Sequence, residues 1–184
     1  MFDWFIKLFP CRHDARRKML AVVKELPARS FPTLGTISGW DDQGLFVATG
    51  CESAIRYHRD GFETLNDAER YLCCLYLLQS EVNNGGFGQW IDSLCSRSAV
   101  ETPRILREIG AAQMATFVTD ALQPLGDTTG IHSKDEWVRH YQSMPENVHE
   151  HWETLTQQFL QVEDRFLEVA YTYARDHWKE VRAA

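Results

Sequence analysis

An all-α fold is the expectation for this 184-residue chain, and three observations carry it. Apolar residues recur at intervals of three and four along most of its length. Helix-capping residues stand just before several of those runs, and Gly or Asn just after them. The chain is 44% hydrophobic with only 11 Gly and 6 Pro, enough apolar surface for the core of one domain and few interruptions to regular structure. The expected architecture is a single compact helical domain with a central buried helix, a long C-terminal helical segment and a basic N-terminal helical extension. Residues 1–44 are assigned to the extension and its connection, and residues 45–184 to the domain.

The elements follow in order. Asp14 to Leu26 predicts a short helix, with Met19, Val23 and Leu26 on one face and Arg16, Arg17 and Lys18 off it. Pro27, Pro32, Gly35 and Gly39 make residues 27–44 a connection. A helix is expected from Leu45 to His58, weakened by Gly50. Asn66 and Glu69 have capping-box spacing. Ala68, Tyr71, Leu72, Leu75, Leu78 and Val82 then repeat at helical intervals, while Cys73, Cys74, Tyr76 and Leu77 make most of the remaining circumference apolar. Such a helix belongs at the centre of its domain.

Asn84-Gly85-Gly86 ends that helix, and Phe87, Trp90, Ile91 and Leu94 form one face of the next. A further helix starts at Ser98, with Glu101 as its capping partner, or at Thr102-Pro103, and ends at Gly110. Proline's fitness for a first helical position favours the second start. Residues 111–123 set Met114, Phe117, Val118, Ala121 and Leu122 on one stripe, and Ser133 with Glu136 opens another helix. Finally Val148, Trp152, Leu155, Phe159, Val162, Phe166, Val169 and Tyr173 alternate spacings of four and three with no Gly or Pro after Pro145. That is one long helix or two collinear ones, with a seam for a partner helix from the same chain or a second subunit.

The formal charge of -7 is unevenly spread. Residues 1–30 carry seven bases and three acids, a net of +4, whereas the remainder carries 23 acids and 12 bases, a net of -11. An acidic body repels nucleic acid and attracts basic partners. No apolar run reaches the length of a membrane span. Met1 to Phe9 contains Asp3 and Lys7 and runs into Pro10 without a small-residue cleavage site, unlike a secretory signal. The leader's Trp4, Phe5 and Phe9 are expected to pack on the domain rather than on a membrane. Cysteines at 11, 51, 73, 74 and 95 have neither disulfide nor zinc spacing, so buried free thiols in a cytoplasmic protein are expected.

Three constellations bear on chemistry. Glu81, Asn83, Asn84, Gly85, Gly86, Phe87 and Gln89 form the densest polar and glycine cluster. They read as a structural hinge in which Glu81 accepts bonds from N–H groups of the next helix start. The competing reading is an enzyme site around Glu81, Asn83, Asn84 and Gln89, with Glu81 as general base; it has no second acid or His nearby in sequence. His149-Glu150-His151-Trp152-Glu153 lacks the H-E-x-x-H spacing, so no metal and no cofactor is assigned. Glu146, Glu150 and Glu153 follow i, i+4, i+7 spacing, about 4.5–6 Å apart along a helix axis. Glu163, Asp164 and Glu168 extend the acidity. A fixed row of carboxylates can occupy the Lys/Arg surface that a DNA-binding protein reserves for phosphate.

Leu65-Asn66-Asp67-Ala68-Glu69-Arg70, then Glu81-Val82-Asn83-Asn84-Gly85-Gly86-Phe87 and Gln89, and the later Ile109-Gly110-Ala111, resemble the signature of the DNA mimic protein 19-like family. The resemblance covers about 60–180. Trp90-Ile91 and Ser93 depart from the two aromatics and the Asn usual there. The resemblance implies an all-helical, acidic, homodimeric bacterial protein, and one member of the family sequesters a helix-turn-helix transcription factor by mimicking DNA. The expectation is therefore a non-enzymatic protein with no catalytic residues. Glu146, Glu150, Glu153, Glu163, Asp164 and Glu168 would bind a basic protein such as a DNA-binding regulator, without direct nucleic-acid binding. An immunity-type protein that neutralises a toxin is the other binding reading.

Overall fold

Asp41 opens the described fold by accepting the Gly44 N–H on its carboxylate at 2.7 Å, and this cap launches helix α1 (Asp42–Asp60). The computed structural model describes residues 40–93, 97–127 and 134–181. The expected helix over Asp14–Leu26, the leader, Ser133, Cys11 and Cys95 lie outside them. α1 starts three residues before the expected Leu45 and runs through Gly50. That glycine permits close packing: a Cβ there would stand 2.5 Å from the Tyr76 Cβ on the next helix. Thr49 and Ser53 are fully buried, and their hydroxyls donate back to the Leu45 and Thr49 carbonyls at 2.6 and 2.7 Å.

Gly61, at φ +94°, ends α1 and leads through the 3-10 turn Phe62–Thr64 into α2 (Asp67–Ser93). The capping box forms as expected: the Glu69 N–H donates to Asn66 Oδ1 and the Asn66 N–H to Glu69 Oε2, both at 2.9 Å. Glu69 is fully buried, with its other oxygen 3.6 Å from Arg56 Nε on α1. The Asn66 amide also donates to the Glu180 carbonyl at 2.9 Å. Leu72, Cys73, Leu75 and Leu78 are wholly enclosed.

Helix α3 (Arg97–Glu108) starts earlier than Thr102-Pro103, and Pro103 lies inside it. Proline there forfeits its own N–H bond and crowds the Ala99 carbonyl four residues earlier, a cost the surroundings must offset. Burial of Ser98 and Ala99, with the Thr102 hydroxyl and Cys74 thiol both donating to the Ser98 carbonyl, holds the turn before it. α4 (Ala112–Leu122), α5 (Lys134–Gln142), α6 (Glu146–Leu160) and α7 (Glu163–His177) complete the helices among the described residues. α2 packs against α1, α3, α5, α6 and α7.

The C-terminal seam divides between two helices, interrupted at Gln161-Val162, where Val162 adopts φ -124° and ψ 10°. Its partners belong to the same chain: α6 lies on α2 and α4, α7 on α1 and α2. Trp152, Leu155, Phe159 and Phe166 are buried, and the Trp152 indole N–H donates to the Ala121 carbonyl at 2.8 Å. Cys51, Cys73 and Cys74 are free thiols, and burial pushes Cys51 and Cys74 up to about 12. No helix among the described residues is long and apolar enough to cross a membrane.

Candidate protein-binding face and the glycine elbow

The elbow is a sharp break inside α2. Gly85 takes φ -164° and ψ 23°, and Gly86 φ +78° and ψ -175°, a combination open essentially to glycine alone. Beyond the break, the Phe87 N–H donates to Thr156 Oγ1 on α6 at 2.9 Å, and the same hydroxyl donates to the Trp152 carbonyl at 2.7 Å. A Cβ on Gly86 would approach Thr156 Oγ1 to 2.7 Å, so glycine also makes room for that hydroxyl. Gly88 faces α5 and α6, with the Tyr141 hydroxyl 3.3 Å from where its Cβ would be. Tyr141 stacks on Trp152 at 5.5 Å between ring centres, and His149 meets both rings edge-on.

The polar members of the motif divide their work differently from the expectation. Glu81, half-buried, accepts from the Gln89 side-chain amide at 2.8 Å, across the break. It was expected to take the backbone N–H groups of the next helix start, but Thr156 claims that of Phe87. Asn83 turns outward and donates its amide to Glu163 Oε1 at 2.5 Å, at the first residue of α7. The hinge and the acidic set, read as separate features in the sequence, thus meet at Asn83 and Glu163. Thr156 belongs to the site as well and carries no sequence signal; its hydroxyl is 69 residues from its partner.

α6 holds Glu146, Glu150 and Glu153, all exposed, and contains no Lys or Arg. Glu163, half-buried, and the exposed Asp164 occupy the first turn of α7, where the helix dipole favours negative charge; Glu168 follows one turn later, also exposed. Among the described residues none of these six carboxylates forms an ion pair, whereas Asp42 and Asp176 pair with Arg175, and Glu180 with His177. Burial pushes the Tyr171 phenol up, and the charges of Glu163, Asp41 and Asp164 add to the shift.

His149 is engaged with Tyr141 and Trp152 while His151 is exposed, so the two histidines of the tract do not converge. Among the described residues no group of three His, Cys, Asp or Glu side chains is placed to hold a metal ion. Comparison with curated proteins and with solved structures finds no match. A family model described as DMP19-like protein matches residues 63–177, from the turn before the capping box through the elbow to the end of α7. The chain belongs to the DMP19-like protein family.

Proposed function

We propose that this protein is a non-enzymatic interaction protein whose α6–α7 carboxylates occupy the phosphate-reading surface of a basic partner, a DNA-binding regulator, in place of DNA. The observation that carries the reading is the row Glu146, Glu150 and Glu153, exposed, without an ion pair among the described residues, on a helix devoid of Lys and Arg. A fixed row of this kind presents the partner with charges on a rigid element, so little ordering is required on binding. Family membership is consistent with such a role.

The reading has a direct test. Protein immobilised through its C-terminus is exposed to host lysate at low and high salt, and captured proteins are identified by mass spectrometry. The expected catch is a DNA-binding regulator whose capture weakens steeply with salt, is released by duplex DNA, and is lost when Glu146, Glu150 and Glu153 are changed to Gln. Salt-insensitive capture, or capture indifferent to those three substitutions, would refute it. A toxin caught instead, with no competition by duplex DNA, would establish the immunity reading.

A further inference from the structure

The glycine elbow touches both helices of the acidic face on either side of their joint. On one side of the Gln161-Val162 interruption, Thr156 of α6 receives the Phe87 N–H and crowds Gly86. On the other side, Glu163 of α7 receives the Asn83 amide at 2.5 Å. Both bonds originate within five residues of one strained turn, itself braced by Gln89 on Glu81 at 2.8 Å. Val162, between the two attachment points, has neither Gly nor Pro beside it to set the angle of the joint. Beyond the Val162 N–H donating to the Phe159 carbonyl at 3.0 Å, the joint is held by what the two helices are fastened to.

We infer that Asn83 is a positioning residue for the acidic face: its amide holds Glu163, and with it the first turn of α7, in register with the row on α6. This rests on the function proposed above and extends it from the carboxylates to the motif behind them. A side-chain amide suits the task because it donates to a carboxylate without neutralising it. A Lys at the same position would hold Glu163 equally well and cancel the charge the face presents. An Asp would drive Glu163 away, since two carboxylates cannot share that distance while ionised. Asn83 is exposed, so replacing it leaves the core intact.

The experiment uses the full chain and Asn83→Ala, Asn83→Asp, Asn83→Gln, Glu163→Gln and the double variant Asn83→Ala/Glu163→Gln. The binding probe is a synthetic poly-arginine peptide, with circular dichroism as a check on folding. One arm measures amide hydrogen exchange. Asn83→Ala and Asn83→Asp should speed exchange about two- to fivefold in the first turns of α7, while amides of 146–153 keep the wild-type rate. The second arm measures affinity. Asn83→Ala should weaken peptide binding about two- to fivefold, Asn83→Asp at least as much despite its added charge, and Asn83→Gln should recover part of the loss. The double variant should be no weaker than Glu163→Gln alone, because the two groups act through one bond.

Unchanged α7 exchange, or losses that multiply in the double variant, would overturn the inference. Stronger binding by Asn83→Asp would overturn it too, since charge alone would then govern the face. If the wild type itself fails to bind the peptide, the acidic-face reading is what falls, and the exchange arm still decides whether Asn83 holds α7.

Discussion

Replacing Gly86 by Ala probes the elbow most sharply. Gly86 sits at φ +78° and ψ -175°, where an L side chain costs roughly 1–3 kcal/mol in backbone strain. The added methyl would stand 2.7 Å from Thr156 Oγ1 and 3.2 Å from its Cγ2, so the threonine must move. Its hydroxyl is the acceptor for the buried Phe87 N–H, and orphaning that donor costs about 1–3 kcal/mol more. Together the substitution should destabilise by about 2–6 kcal/mol, a large share of the roughly 5–15 kcal/mol typical of a domain. At about 2–4 °C per kcal/mol for a chain of this size, the melting temperature should fall by about 4–24 °C. Urea denaturation followed by far-ultraviolet circular dichroism measures the same quantity. Combining Gly86→Ala with Thr156→Ala separates the causes: it relieves the collision and leaves the backbone strain, so the double variant should lose less than the two single losses added. A Gly86→Ala protein within about 0.5 kcal/mol of wild type would refute the argument that this turn requires glycine.

Four other outcomes are expected. Changing Glu146, Glu150 and Glu153 together to Gln should abolish partner capture yet shift stability by no more than about 1 kcal/mol, because none is ion-paired among the described residues; a large fall in melting temperature would mean the row is structural. Asn66→Ala removes the cap of α2 and the bond to the Glu180 carbonyl, and should cost about 1–2 kcal/mol in chemical denaturation. Burial raises the Cys74 thiol from 9.0 to about 12, so it stays protonated in the fold at pH values where the unfolded chain has lost that proton. Stability is therefore unaffected by Cys74 below about pH 9 and declines between about 9 and 12, by up to about 1.4 kcal/mol per pH unit. Alkylation at pH 8, mapped by mass spectrometry, should spare Cys73 and Cys74 until urea is added; rapid native labelling would contradict their enclosure.

What could be read from the sequence is what short-range chemistry dictates. The Asn66–Glu69 box, the nearly all-apolar α2 and the Asn-Gly break are written within a few residues and form as expected. The four-three spacing from Val148 to Tyr173 marked the buried seam, but the interruption at Gln161-Val162 carries no Gly or Pro and left no trace. Gly50 and Pro103 misled for the opposite reason. Each is unfavourable to an isolated helix, and each is accommodated because tertiary packing outweighs propensity: Gly50 under Tyr76, and Pro103 behind the buried Ser98 and Ala99. The start of α1 was missed although Asp41, three residues before Gly44, is an ordinary cap. At the candidate site, the outward row on α6 was legible from helical spacing alone. The attachments of the elbow were not, since Phe87 to Thr156 and Asn83 to Glu163 join residues 69 and 80 positions apart.

The buried carboxylate of Glu69 ties together parts of the chain that are distant in order. One oxygen serves the start of α2, the other lies toward Arg56 on α1, and Asn66 beside it reaches the Glu180 carbonyl in the 3-10 turn Trp178–Glu180. Peeling that turn away would break the Asn66 bond beside the buried charge that α1 and α2 share. Fraying of this turn is thereby coupled to α1 and α2, so the protein should melt as one cooperative unit rather than helix by helix. Trimming the chain back past Trp178 should broaden that transition, making the final turn a clasp rather than a tail.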